Sequence, residues 1–254
     1  MGIEIKDLEN NITRLIIRNG RGNPLSPALL EELDQSMGEL LERPTPPSTL
    51  IIDADGSSIF SGGFALPIIA SWPREDLHAF FDRFLSILGK ILSIESFTIT
   101  VLEGSAVAGG FILSLASDIR IVGEGKARFG LPEVDLGVSV PAGPCVLLES
   151  RTSPRFALDI ASTGRLIDAQ EALESGYARY KTAKPMDKAM EIATSIAKKP
   201  GNGTGKTRHY FNQRILENMN SADKRFMSDF LDTWFSPAGQ ACIQAQAKRL
   251  GSKK

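Results

Sequence analysis

The hydrophobic positions change period several times along the chain. "IEIKDL" and "ITRLIIR" alternate around the polar turn "ENN", the pattern of a β-hairpin. In "SPALLEELDQSMGELLE" the apolar residues recur at helical spacing, with Ser26 placed to cap and Pro27 at the first helical position. The proline-rich "RPTPPS" ends that helix. "TLIIDAD" is apolar without alternation, as in strands buried on both faces of a parallel sheet. "GSSIFSGGFAL" reads as a glycine-rich loop, and an amphipathic helix is predicted from Pro73 to Leu92. "FTITVLEG" and "IRIVGE" are two more buried strands on either side of a helix, "GGFILSLASD". The loop "ARFGLPEVDLGVSVPAG" follows. Strand–helix–strand–helix–strand is a crossover pattern and predicts an α/β fold. From Pro144 onward the periodicity is mostly helical. The division expected is residues 1–188 as the α/β core and 189–254 as a helical C-terminal region.

Composition narrows the functional classes. The 254 residues are 42% hydrophobic and 23% charged, with net charge −1 and a pI near 6.2. No global basic field draws in nucleic acid or an anionic membrane, so neither is expected as a partner. Two cysteines, Cys145 and Cys242, are too few for a disulfide framework and fit a reducing compartment. The start "MGIEIKDLENNITRL" is not a secretory leader and lacks the Ser or Thr of a myristoylation site, and "RLGSKK" is no common retention or peroxisomal signal. The expected location is the cytoplasm.

Three short stretches could carry chemistry. Gly109–Gly110 open a helix, where unpaired amides and partial positive charge suit an anion or a developing oxyanion. Taken alone, the pair is better explained by close strand–helix packing. "FSGGFAL" exposes the backbone of Gly62–Gly63 after a strand, where open α/β sheets place ligands. Together the two stretches could supply converging N–H donors, the requirement of an oxyanion hole. In "FGLPEVDLG", Glu133 stands among Phe129, Leu131, Pro132, Val134 and Leu136. Poor solvation there would raise its pKa toward that of a useful base.

Other chemistries fit less well. "PGNGTGKT" nearly spells a phosphate-binding P-loop, but Pro200 stands where glycine is needed and a helix, not a strand, precedes it. A flexible loop carrying Lys206 is the better reading. His78 and His209 are the only histidines, with no metal-ligand spacing and no G-x-S-x-G, so no metal site and no serine triad are expected.

The segments "RGNPLS", "IFSGGFAL", "GSAVAGGFILSLASDIRIV" and "ARFGLPEVDLGVSVPAG", in this order, resemble the crotonase family, also called the enoyl-CoA hydratase/isomerase superfamily. They fall within roughly the first 60% of the chain. The resemblance implies a spiral of ββα turns with a helical C-terminal region that helps build homotrimers or dimers of trimers. It also implies an acyl-CoA thioester as ligand, with no cofactor beyond the coenzyme A of the substrate. By position, the amides of Phe64 and Gly109 would form the oxyanion hole. Arg21, Gly22, Asn23 and Leu25 would contact the adenine region of CoA, and Lys206 its phosphates, with Arg208 as a rival. Gly62, Gly63, Ala65, Leu66, Gly110, Ile112, Pro132 and Pro141 would lie along the thioester. The acyl pocket is expected in the Ala65–Phe84 region, where Phe80, Phe81 and Phe84 suit either pocket or core.

Departures from the family pattern are informative. Hydratases of the family carry a glutamate on the helix after the glycines and another in the "PE" loop. Here those positions are Ile112 and Glu133. One carboxylate suits a proton shuttle, and the combination looks like that of Δ3,Δ2-enoyl-CoA isomerases. Ala65 replaces an Asp common after the oxyanion residue, and Glu103 is an unusual acid expected to be structural. Pro141 occupies the position of a dehalogenase's nucleophilic Asp. The function expected is therefore conversion of a 3-enoyl-CoA to a 2-enoyl-CoA, with Glu133 as sole catalytic acid–base. The alternatives are a hydratase, a decarboxylase or carbon–carbon bond enzyme working through an acyl-CoA enolate, and a non-catalytic acyl-CoA-binding subunit.

Overall fold

A computed structural model describes residues 2–252 of the chain. The first expectation holds at once: β1 (Gly2–Leu8) and β2 (Ile12–Arg18) form an antiparallel hairpin across Glu9–Asn11. Helix α1 (Pro27–Leu41) begins as predicted, with the Ser26 side chain accepting the Leu29 amide. The chain then alternates between two sheets. β3 (Thr49–Asp53), β5 (Phe97–Leu102) and β7 (Ile119–Gly123) enter the first, and β4 (Ile59–Ser61), β6 (Ser105–Val107) and β8 (Phe129–Gly130) enter the second. Between these pairs lie α2 (Leu66–Ile69) with α3 (Arg74–Ser93), and then α4 (Gly109–Leu115). Each pass thus lays one strand on each sheet and returns through helix, a ββα turn, and successive turns stack in parallel register.

The first sheet has the order β1-β2-β3-β5-β7-β10 and the second β4-β6-β8-β9. β9 (Leu166–Ile167) and β10 (Tyr180–Thr182) belong to a last turn, which also contains α5 (Ala142–Arg151), α6 (Pro154–Thr163) and α7 (Ala169–Glu174). The very short strands of the second sheet are hidden in stretches that read as loops from sequence. The turns pack closely: a Cβ on Gly104 would lie 2.1 Å from the Ser58 carbonyl carbon, so only glycine fits where one turn crosses the next.

Unbroken apolar strands mean burial on both faces. Leu50, Ile52, Leu102 and Val122 face the main core, while Ile51, Ile99, Val101 and Ile121 form a second one with Ala189 and Ala193. Those alanines belong to α8 (Pro185–Ala197), which packs on β3, β5 and β7. Helix α8 therefore runs across the expected 188/189 division and serves the sheet. The helices beyond it are α9 (Gly203–Trp234) and α10 (Pro237–Gly251). No helix among the described residues is long and apolar enough to cross a membrane.

One polar knot ties these layers together. Asp118 accepts the Thr98 amide at 2.7 Å, the Thr98 hydroxyl at 3.0 Å, Arg208 Nε at 2.6 Å and Asn212 Nδ2 at 3.2 Å. Arg208, 6% exposed, also donates to the carbonyls of Ile91, Leu92 and Ile94 at the end of α3. It thereby satisfies acceptors that a helix C-terminus leaves unpaired. Four elements meet there: α3, β5, the turn before β7, and α9. Removing one partner of a buried pair leaves the other charge uncompensated. Arg208→Met is therefore expected to lower unfolding free energy by roughly 3–5 kcal/mol in denaturant titrations. A loss below about 1 kcal/mol would show that the knot does not hold the layers.

Candidate active site

The second sheet determines where the chemistry-bearing residues meet. Ser61 of β4, Ala106 of β6 and Phe129 of β8 are aligned across three neighbouring parallel strands. The chain leaves all three strands in the same direction, toward Phe64, Gly109 and Glu133. The site thus forms outside the carboxyl ends of adjacent strands, where open α/β sheets gather their loops.

The Phe64 loop is fixed from outside by the "RGNPL" segment. Leu25 bridges Phe64 in parallel fashion, its amide donating to the Gly63 carbonyl at 2.8 Å and its carbonyl accepting the Ala65 amide at 3.1 Å. In such a bridge the central residue turns its own N–H the other way. The Gly22 carbonyl takes the Gly62 amide at 2.8 Å, and the Asn23 carbonyl takes the Ser61 hydroxyl at 2.8 Å. Gly22, Asn23 and Leu25 thus brace the loop, while Arg21 is exposed on the surface beside them. Ala65 is buried and Leu66 reaches the cavity described below.

The second donor sits at the start of α4. Ala108 has φ +52°, unusual for a residue with a side chain, and its amide is held by the Gly130 carbonyl at 2.9 Å. That kink lets Gly109 begin the helix with its N–H outside the helical ladder. A Cβ on Gly63 would lie 2.9 Å from the Ala108 Cβ and 3.4 Å from the Gly109 nitrogen, so the two loops touch. A Cβ on Gly110 would lie 2.5 Å from the Ser61 carbonyl oxygen, so Gly110 serves the packing of α4 on β4. On Gly109 the space is taken by the Phe64 ring, 2.8 Å from where a Cβ would be. Among the described residues, neither the Phe64 nor the Gly109 amide has a hydrogen-bond partner.

Glu133 lies in a 3₁₀ turn, Pro132–Leu136, started by a proline and stopped by Gly137 at φ +71°. Both carboxylate oxygens are shielded from solvent and have no hydrogen-bond partner among the described residues. Desolvation pushes the group up to about 7, only partly opposed by its own backbone amide. It borders a cavity of about 170 Å³. Gly62, Phe64, Leu66, Val107, Ala108, Pro132 and Pro141 line that cavity with it, as do Phe81 of α3 and Leu136 and Val138. Glu133 is the one ionisable side chain among the described lining residues. Nearby, burial and the carboxylates of Glu133 and Asp223 raise the Cys145 thiol to about 11, which leaves it unreactive.

Several expected residues lie elsewhere. Ile112 is completely buried in the main core and is not on the cavity wall. Phe80 and Phe84 are core, packed edge-on against the Phe64 ring at 5.4 and 4.9 Å between centroids. Lys206 is not on a loop. It stands in the first turn of α9, ion-paired with Glu95, and Phe230 and Trp234 at the other end of that helix line the cavity. Twenty-four residues of helix, roughly 36 Å, separate it from the wall at Phe230. Its rival Arg208 is engaged in the buried knot. Glu103 lies by Gly56 and Asp53, away from Glu133. The residues missed are Phe230, Trp234, Gln246 and Leu250, which form the far wall. Helical periodicity marks them as apolar-face or surface positions and gives no sign that α9 and α10 fold back onto the strand ends.

A model of the family "Enoyl-CoA hydratase/isomerase" matches residues 7–236. A carnitinyl-CoA dehydratase of Proteus mirabilis is 31% identical over 179 residues, covering 68% of each chain. The crystal structure of human mitochondrial Δ3-Δ2-enoyl-CoA isomerase superposes with a TM-score of 0.89 over 99% of both chains at 20% identity. That of an enoyl-CoA hydratase from Bacillus anthracis gives 0.76 at 25% identity, covering 88% of this chain and 91% of that one.

The raised Glu133 has a consequence for stability. Between pH 4.5 and about 7 the native protein holds a proton that the unfolded chain releases, so this group's contribution becomes less favourable as pH rises through that window. Glu133→Gln should remove that loss. Relative to wild type, the variant is expected to gain up to about 3 kcal/mol between pH 5 and pH 8, read as the difference of two urea titrations. A pH-independent difference would show that the carboxyl is solvated in the folded protein.

Proposed function

The chain belongs to the enoyl-CoA hydratase/isomerase family, and from that premise we propose that it is a Δ3,Δ2-enoyl-CoA isomerase with Glu133 as its only proton carrier. The observation that carries the reading is the isolation of Glu133: one desolvated carboxylate, without a hydrogen-bond partner among the described residues, on a cavity wall that it shares with Phe64 and with no other ionisable side chain among the described lining residues. In this proposal the thioester oxygen of a 3-enoyl-CoA accepts from the Phe64 and Gly109 amides. Glu133 takes a proton from C2, and the electron pair spreads into a dienolate whose charge collects on that oxygen. The protonated carboxyl then delivers the same proton to C4. The double bond ends between C2 and C3, and no atom is gained or lost. Each amide donor of such a hole is worth about 3–4 kcal/mol in the transition state. A base near pH 7 is matched to this task because it must both take and return the proton.

Coenzyme A enters only as part of the substrate, and the homotrimer or dimer of trimers implied by the family resemblance is part of the same proposal. The 31% identity to a carnitinyl-CoA dehydratase favours a second reading, reversible addition of water to a 2-enoyl-CoA. That chemistry must activate water as well as move a proton, and the wall offers one carboxylate for both tasks.

The two readings part in one assay. Purified protein with 3-hexenoyl-CoA should show growth of conjugated-enoyl absorbance, with kcat/KM rising as pH passes through about 7 and Glu133 ionises. Glu133→Gln should reduce kcat by 10³-fold or more, on the order of what removing an essential acid–base group costs. Hydration of crotonyl-CoA at a comparable rate would favour the second reading. Isomerisation surviving in Glu133→Gln would sink the first.

A further inference from the structure

The wall of the cavity beside Glu133 includes a residue with a buried polar group that the proposed proton shuttle leaves unused. Trp234, the last residue of α9, lines the wall and is 4% exposed, and its indole N–H is buried without a hydrogen-bond partner among the described residues. Neighbours hold it in place. Its carbonyl accepts Gln240 Nε2 at 3.1 Å, and its ring packs edge-on against Phe81 with centroids 5.8 Å apart. Phe81 packs in turn on Phe64 at 5.1 Å. Trp234 therefore stands two ring contacts beyond the Phe64 loop, on the far wall with Gln246 and Leu250 of α10.

An indole N–H can only donate. Left unpaired in a buried site it is costly, and a saturated hydrocarbon chain filling the cavity would leave it unpaired in the complex as well. A chain carrying an oxygen would satisfy it. Sites with a committed buried donor discriminate against ligands lacking the acceptor far more sharply than by size alone. No lysine or arginine is among the described lining residues, and Glu133 would repel an anion, so a neutral oxygen fits and a carboxylate does not. Resting on the acyl-CoA reading above, we propose that Trp234 is a specificity-determining residue. Its indole N–H donates to a keto or hydroxyl oxygen on the acyl chain beyond the reacting carbons, on the wall that Gln246 also lines. The preferred substrates are then oxygen-bearing acyl-CoA thioesters over plain fatty acyl-CoA.

Binding of unreactive, saturated esters tests this without needing turnover. Calorimetric titrations would compare hexanoyl-CoA with 5-oxohexanoyl-CoA, and octanoyl-CoA with 7-oxooctanoyl-CoA. In at least one pair the keto ester should bind wild type about tenfold tighter or more, and Trp234→Phe should bring the ratio near one. A merely structural role would weaken both esters alike. Trp234 is one of two tryptophans, so a measurement that leaves Trp234 itself unaltered is also available. Its ¹⁵N-indole resonance, assigned by comparison with Trp72→Phe, should move downfield with the keto ester and not with the plain one. Equal binding in wild type, or a ratio unchanged in Trp234→Phe, overturns the proposal. If Glu133→Gln still abolishes isomerisation in that case, the proposed function stands and only this inference falls. A keto preference lost in Trp234→Phe by a protein that isomerises nothing would have the reverse meaning.

Discussion

The geometry of the candidate site depends on how closely two strand-end loops approach each other. The contact is made of absent side chains: Gly63 against Ala108, and Gly110 against the backbone of Ser61. A single methyl group at Gly110 would sit 2.5 Å from a carbonyl oxygen that cannot move without pulling β4 out of the sheet. The backbone conformation that leaves the Gly109 amide unpaired is itself unfavourable, since Ala108 must adopt a positive φ. It is held by the hydrogen bond to Gly130 on the next strand, so the third loop stabilises the geometry of the second. In the proposed reading the amides are thus positioned before any ligand arrives, the condition under which hydrogen-bond donors stabilise a developing charge without reorganisation.

The same architecture strands a carboxyl group. Glu133 has no cation, hydroxyl or amide from another residue to pair with among the described residues, and the fold bears the cost of burying it. It can do so because its other layers are conventionally stable: both faces of the first sheet are covered, and the Asp118–Arg208 knot pairs its charges fully. The contrast between these two buried acids is instructive. Asp118 accepts four hydrogen bonds and binds elements together, whereas Glu133 accepts none from other described residues, which is what the proposed proton transfer asks of it. The pairing of a buried acid, more than its burial, separates a structural role from a chemical one.

How much of this was legible in the sequence follows the range of the interactions involved. The hairpin, the α1 cap, the buried strands and the helix opening at Gly109 depend on neighbours within a few residues, and each left a periodic or capping signal. Glu133 was legible because its apolar surroundings are its own sequence neighbours, Pro132 and Leu136. The second sheet was not, since two- and three-residue strands carry no period and are defined by pairing across the spiral. Nor was the far wall, where Trp234 comes from the end of a helix that begins at Gly203 and packs onto Phe81. Lys206 shows the opposite failure. A glycine-rich string suggested a loop, yet α9 already starts at Gly203, Gly205 packs closely on the Glu95 carbonyl, and Lys206 is ion-paired with Glu95.

The position of Ile112 changes the argument about which reaction the site performs. The sequence-based contrast rests on an aliphatic residue standing where hydratases have a second carboxylate. In the folded protein Ile112 is fully enclosed by the core, so it does not itself present an apolar surface to a bound chain. It belongs to the core behind the start of α4, and the residues that line the cavity from this side are Val107 and Ala108. A second acid would have to come from another part of the wall. The far side is built by Phe230, Trp234, Gln246 and Leu250, none of which ionises in the range where a base must work. Moving one proton between two carbons of the same chain needs one group that can hold it briefly, whereas adding water also needs that water to be oriented and deprotonated. The composition of the whole wall, more than the identity of residue 112, is what favours the shuttle.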